Sequence, residues 1–350
     1  MAGPGATRPT DGPATRRELP EVSDSHPFER LTPDFILAAI EAGGVRCDGR
    51  LLALNSYENR VYQVGIEDAE PLVAKFYRPG RWSEAALHEE HDFVAELAAQ
   101  GLPVVAPLAE RDGGTLRHFE GFHIALYPRR GGRAPDLDRA DNLRTMGRCL
   151  ARLHTVGGGR PFQARGAITV ADFAHASIAF LQDGWIPADL VPAYDSITRD
   201  LLAHLERAFE ARAEVRLRRV HGDCHAGNVL WRDDAPHFVD FDDARMAPAV
   251  QDLWMLLSGS PEEQRAQLDA VLDGYQEFAD FDYRELALVE PLRTLRMLHY
   301  AAWLARRWDD PAFPHAFPWF NTQAYWERHV LELREQLGAL AEPFDLPGGD

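Results

Sequence analysis

Apolar positions fall into two regimes along this chain, and the change comes near residue 128. Upstream, short apolar runs at 51–55, 60–66 and 72–76 are separated by polar turns, which predicts an antiparallel meander. Runs at 104–108 and 122–126 complete a predicted five-stranded sheet. Two helices accompany it. Thr32-Pro33-Asp34 offers a capping hydroxyl, a proline where no donor is needed and an acid in the first turn, and Gly43-Gly44 ends that helix. Ser83 caps a longer helix that stops at Gly101. Tyr127-Pro128 and the glycines within 129–133 read as a hinge. Downstream the spacing turns helical: Leu143, Met146, Leu150 and Leu153 mark one buried face. Further helices are predicted over 190–213, 251–257, 261–278, 291–307 and 322–340. The expectation is an α+β, bilobal chain: residues 28–128 as a sheet-rich lobe, 129–350 as a mostly helical one, and 1–27 as a disordered extension too poor in large apolar groups to offset its ordering entropy.

At 350 residues the chain can bury a large core, and 45% hydrophobic with 26% charged residues is ordinary for a globular protein. The net charge of −18 repels phosphate backbones, so nucleic acid and anionic membranes are poor partners. No run of about eighteen apolar residues exists to span a membrane, and the N-terminus has no secretory apolar region. Cys47, Cys149 and Cys224 make no disulfide framework and fit a reducing cytoplasm.

The chemistry is concentrated in 220–243. Asp223 follows His-Gly, Asn228 comes five residues later, and Asp240 ends an apolar run seventeen residues after the first acid. Alone, each is an ordinary turn residue. Together they suit phosphoryl transfer, with Asp223 as base and Asn228 plus Asp240 as oxygen ligands for magnesium on ATP. Such a base contributes ~10²–10⁴ in rate. Lys75, on the third predicted strand, can reach ATP phosphates if a helical glutamate holds it. Glu90 shares a face with Val94 and Leu97 and should point inward; Glu89 is the fallback, with the other of the two at the surface. The turn 55–59 lies where a phosphate-covering loop belongs but contains no glycine, so the Ser56 hydroxyl and the Asn59 amide would donate to phosphate instead. Asp242 and Asp243 read as exposed, His221 as a structural hydrogen bonder, and Asp252 as a buried acceptor for the backbone of the catalytic loop. Trp303, Arg306, Trp308, Trp319 and Tyr325 are candidates for the acceptor side, or simply packed aromatics. Cys224, beside the base, suggests a redox-sensitive position.

These residues together resemble the aminoglycoside/choline kinase branch of the protein-kinase-like superfamily. The match is closer still to the stress response kinase A family of bacterial serine/threonine protein kinases. The resemblance rests on Leu54-Asn55-Ser56-Tyr57-Glu58-Asn59-Arg60-Val61-Tyr62, on 73–82 with Lys75-Phe76-Tyr77-Arg78-Pro79, on 221–231, on 242–257 and on Asp310-Pro311-Ala312-Phe313-Pro314, and it covers roughly residues 26–340. It implies a protein-kinase-like fold and a cytoplasmic ATP- and magnesium-dependent kinase of stress survival that acts on protein serine or threonine and can phosphorylate itself. It also implies Asp223 as proton acceptor, Asn228 and Asp240 as magnesium ligands and Ser56 as an ATP contact. A monomer is expected. The rival within the same chemistry is a small-molecule kinase acting on an alcohol such as homoserine, choline or an aminoglycoside, since the same base and metal serve both. A zinc site from His221, Cys224 and His225 has the wrong offsets. A metallophosphoesterase lacks its downstream boxes, and a dead nucleotide-binding scaffold would not keep all four key residues.

Overall fold

Thr32 starts the first helix as its side chain predicts: Oγ1 accepts from Phe35 N at 3.3 Å and opens α1 (Pro33–Glu41). This computed structural model describes residues 26–111 and 113–342, so the expected disorder of 1–25 lies outside the described residues. Residues 26 and 27 belong to the fold and not to an extension. Pro27 opens a 3-10 turn that buries Phe28, whose ring stacks on Phe122 at 6.0 Å.

The sheet is antiparallel, in the order β1-β2-β3-β5-β4, built from β1 (Cys47–Leu54), β2 (Arg60–Ile66), β3 (Ala69–Phe76), β4 (Arg117–Phe119) and β5 (Phe122–Pro128), with α2 (Glu84–Ala99) between β3 and β4. One predicted strand is corrected. Residues 104–108 form no ladder; Val104 bridges singly to Phe238, and Val105 N donates to Phe238 O at 3.0 Å. Pro103 and Pro107 lack the N–H that a ladder needs, so this segment instead spans from one lobe to the other. The fifth strand is the short β4, joined to β5 through Glu120-Gly121, both at positive φ (44° and 90°) as a tight hairpin requires. Its three residues carry no apolar run to announce it.

Beyond β5 the described chain is mainly helical: α3 (Ala140–Gly157), α4 (Ala176–Gln182), α5 (Val191–Glu210), then β6 (Arg218–Val220), β7 (Val229–Arg232), β8 (Ala235–Phe238) and β9 (Arg245–Ala247), then α6 (Val250–Trp254), α7 (Pro261–Tyr275), α8 (Val289–Arg306), α9 (Ala312–Ala316) and α10 (Gln323–Ala341). The architecture is α+β with a kinase-like division into a sheet lobe and a helical lobe.

Among the described residues, the two larger apolar cores follow that division. The smaller of them joins α1 to one face of the sheet through Ile36, Ile40, Val64, Phe76 and Ile124. The large one lies in the helical lobe, but it also takes in Phe93, Val94 and Leu97 of α2. This helix therefore belongs to both lobes: its apolar stripe docks on the helical side while Glu90 turns beneath the sheet. A Leu97→Ala change should cost ~2–5 kcal/mol, because the cavity it leaves is fully enclosed.

Candidate active site

Strand β6 pairs with β9 and delivers the chain to His221-Gly222-Asp223. The turn demands glycine. Gly222 has φ 84°, and a Cβ there would sit 2.2 Å from Asp243 O. The fully buried Asp252, at the start of α6, holds this turn: its carboxylate accepts from His221 N and Gly222 N, each at 2.8 Å, and lies 3.0 Å from His154 Nε2. His221 is a hydrogen bonder, as its sequence position suggested. Its Nδ1 accepts from Asp223 N at 3.3 Å, which leaves Nε2 to donate to Val239 O at 2.9 Å. Two backbone loops are thereby tied through one ring.

Asp223 is gripped on both oxygens. Oδ1 accepts from Arg296 Nη1 at 2.6 Å, and Oδ2 accepts from Asn228 Nδ2 at 3.2 Å with His225 Nε2 at 3.4 Å. Burial alone would raise this carboxyl, but His225 and Arg296 outweigh it and hold it well below the usual range. The group is therefore held as an anion. Asn228 Nδ2 also donates to Asp223 O at 2.9 Å, so the amide orientation is fixed and Oδ1 is left as an acceptor.

The β7–β8 hairpin then brings the chain to Asp240, which stands at φ 60° and ψ 67°, a sparsely populated conformation for an L-residue. Its Oδ1 accepts from Lys75 Nζ at 2.9 Å. Lys75, on β3 and only 5% exposed, also lies 3.3 Å from Asp242 and 3.6 Å from Glu90. Burial would lower its ammonium, but Asp240, Asp242 and Glu90 together raise it well above the ordinary value. Lys75 is thus not the outward, solvated lysine its strand position would suggest by itself.

Several expectations need correction. Asp242 is not a surface acid: it is 3% exposed, paired with Lys75 and Arg81, and its carbonyl accepts from Arg165. Burial pushes its carboxyl up, yet Arg81 and Lys75 win and hold it low. Asp243 is half-buried and accepts from Arg81 Nη2 at 2.6 Å. Glu90, not Glu89, faces Lys75, but Glu89 is no idle surface residue either: its carboxylate accepts from the backbone N–H groups of Gln163, Ala164 and Arg165 at 2.6–3.0 Å. Asn59 is 2% exposed and committed within the protein: its Oδ1 accepts from Arg78 N at 3.0 Å, and its side chain also bonds the Asp242 carboxylate. Cys224 is fully buried, and burial raises its thiol well above the ordinary value, so the thiolate that oxidation needs is disfavoured.

Two cavities meet at this constellation. One, of about 330 Å³, lies under the sheet between apolar walls that include Val61, Val73, Val105 and Leu230, with Lys75 and Glu90 at its inner side. The other, of about 440 Å³, opens toward α8 and is lined by Asp223, Arg245, Arg296, His299, Tyr300 and Trp303. Ser56, Asn228 and Asp240 line both, at the junction. Of the acceptor-side aromatics expected from sequence, only Trp303 reaches the cavity that holds Asp223. Trp308 packs on Phe320, Arg306 donates to Ala176 O and lies over the Phe180 ring, and Trp319 with Tyr325 lines a separate pocket. Among the described residues no group of three or more His, Cys, Asp or Glu side chains is placed to hold a metal. The oxygen pair of Asn228 and Asp240 suits a hard cation that draws its other ligands from phosphate and water.

Residues 50–289 match the model of the phosphotransferase enzyme family. Over 317 residues the chain is 46% identical to stress response kinase A of Salmonella choleraesuis, covering 90% of this chain and 95% of that protein. The chain belongs to the stress response kinase A family. It is 45% identical, with the same coverage, to stress response kinase A of Escherichia coli K12 and to a Salmonella typhimurium protein named serine/threonine protein kinase RdoA. Among solved structures it resembles an amicoumacin kinase in complex with AMP-PNP and Ca2+ (TM-score 0.69, 17% identity, 89% of this chain and 95% of that one). It also resembles a spectinomycin phosphotransferase in complex with ADP (TM-score 0.59, 13% identity, 89% and 95%). At these identities the likeness shows the fold. The chain is a phosphotransferase with a kinase-like architecture, and among its described residues no helix is long and apolar enough to cross a membrane.

Membership of the family gives no role to the residues that hold the glycine-free loop, and the sequence reading missed them. Glu58 accepts from Trp303 Nε1 at 2.5 Å and from Arg307 at 3.0 and 3.1 Å, and lies 2.9 Å from Arg78. Asp310, after α8, accepts from Arg60 at 2.8 and 2.9 Å and from Arg78 at 2.7 Å. Arginines of the sheet lobe and acids on both sides thus staple the loop 55–59 to the helical lobe. The only hint in the sequence was the set of isolated charges within the motif-like segments.

Proposed function

We propose that this protein is an ATP- and magnesium-dependent kinase that transfers the γ-phosphoryl group to a serine or threonine hydroxyl of a protein, its own chain included. The observation that carries this reading is the junction of the two cavities, where Asp240, Asn228 and Ser56 face both spaces, with Asp223 in one and Lys75 in the other. The apolar cavity under the sheet suits a purine and ribose, with phosphates running toward Lys75. Asp240 and Asn228 would hold magnesium, which neutralises phosphate charge when bound. Asp223 orients the acceptor hydroxyl and takes its proton as the oxygen–phosphorus bond forms and the bond to ADP breaks. Glu90 and Arg165 keep Lys75 and its partners in place, so catalysis draws on position and charge more than on covalent work. The printed name of one relative, a serine/threonine protein kinase, supports a protein acceptor, and free thiols with ATP as donor support a cytoplasmic location. Incubating the pure protein with γ-labelled ATP, first alone and then with separate protein and metabolite pools, tests the reading. Label should appear in protein. Label found only in a metabolite overturns the protein-kinase assignment.

A further inference from the structure

Arg245, on β9, faces the cavity that contains Asp223. Its guanidinium lies between two rings, 4.7 Å from the centroid of Trp82 and 5.2 Å from that of Phe173. Among the described residues it has no hydrogen bond and no ion pair. Its near acid, Asp243, is committed to Arg81 at 2.6 Å. Burial lowers the Arg245 pKa despite the pull of Asp243, and Arg81 and Arg165 lower it further. Two rings stabilise the charge from the sides, but nothing supplies the hydrogen-bond acceptors that a planar guanidinium can engage. Of the other arginines lining this cavity, Arg81 is committed to Asp242 and Asp243, and Arg296 meets Asp223 through Nη1 only and remains 43% exposed. The same cavity is lined by Glu58, Asp223, Asp240, Asp242 and Asp243, so the uncompensated positive charge is local to the Arg245 guanidinium.

Tyr300 also borders a second space of about 340 Å³, lined by Met297, Trp319, Tyr325, Arg328 and Glu332. A lone small alcohol would leave this second space empty, whereas an extended peptide lying across Tyr300 would reach both.

We infer that the acceptor is a serine or threonine flanked in its peptide by an acidic side chain, whose carboxylate is received by Arg245 with Arg296 beside it. This rests on the protein-kinase reading above and gives it a substrate class. An Arg–carboxylate contact in a partly desolvated site is short and charge-assisted, and it places the hydroxyl relative to Asp223. A cationic peptide would instead bring a second charge against an arginine that cannot release its own.

The test uses matched serine peptides that differ only in whether the flanking residues are Glu, Gln or Lys, assayed with γ-labelled ATP on the full-length protein and on the Arg245→Gln and Arg245→Lys variants. The expected kcat/KM is about tenfold or more higher for the Glu peptide than for the Lys peptide in the native protein. That ratio should collapse to within about threefold in Arg245→Gln and recover in part in Arg245→Lys, with nucleotide affinity unchanged throughout. Preference for the Lys peptide, or a Glu preference that survives Arg245→Gln, overturns the inference and leaves the kinase reading standing. Label that enters no peptide and no protein, but does enter a small alcohol, overturns both.

Discussion

The two cavities that meet at Asp240 are built on opposite principles. The one under the sheet has apolar walls from Val61, Val73 and Leu230, with a single buried cation whose three acidic neighbours fix its position. The one toward α8 is lined by charges of both signs, with aromatic rings at its mouth, and one of its arginines lacks a counter-ion. A preorganised phosphate site needs its charges compensated and immobile before the nucleotide arrives. A site that chooses among acceptors needs charge left over to discriminate with. On the proposed reading, the compensated cavity is the nucleotide side and the one with an unpaired arginine is the acceptor side.

The sharpest way to break that contrast is to remove a charged residue that both cavities share. Asp240→Ala should lower phosphoryl transfer by about 10³ or more while the protein stays folded, since the side chain is 48% exposed and stabilises little beyond Lys75. A variant with activity and melting temperature both near those of the native protein takes Asp240 out of the account. Next is Lys75→Met, which should cost ~10²–10³ in kcat/KM for ATP and in addition destabilise the fold by ~3–5 kcal/mol, because Asp242 and Glu90 lose a buried partner. Denaturant unfolding run beside kinetics separates the two effects; loss of activity without loss of stability would contradict the compensated-charge picture.

A pH experiment sharpens the same point. The Asp242 carboxyl is held below its ordinary value in the folded protein, so its contribution to stability is present above about pH 4 and is lost as pH falls below that. Thermal melts from pH 6 to pH 3 should show a steep acid limb in the native protein and a flatter one in Asp242→Asn, which starts from a lower melting temperature. Equal acid limbs would mean that other carboxylates dominate. The smallest effect concerns the stapled loop. Glu58→Gln keeps shape but gives up charge on Arg78 and Arg307, and should raise the KM for ATP about tenfold with little change in kcat. An unchanged KM would show that the loop holds its position without Glu58.

Much of this was legible in the chain. Thr32 and Ser83 cap their helices, β2 and β3 run where alternation and turns put them, and Asp252 accepts from the His221-Gly222 backbone as its place before an apolar run suggested. These features are local, so spacing encodes them. What stayed hidden depends on distant partners. Asp242 looks exposed until Arg81, 161 residues away, and Lys75 are brought against it. Asn59 looks like a phosphate donor until Arg78 and Asp242 are brought against its buried amide. Residues 104–108 look like a strand because the signal is apolar content, which two prolines and a cross-lobe path to β8 override. The unpaired state of Arg245 is a property of the whole cavity wall, and no sequence window contains it.

The central claim is that the anion at Asp223 serves the hydroxyl at the meeting point of the two cavities. Single-turnover transfer from γ-labelled ATP, measured in parallel with nucleotide affinity on Asp223→Asn, tests it most directly. The account predicts a fall of ~10²–10⁴ in the rate of transfer with nucleotide affinity within about threefold of the native protein. Transfer at a native rate, or a loss traced entirely to weaker nucleotide binding, would contradict it.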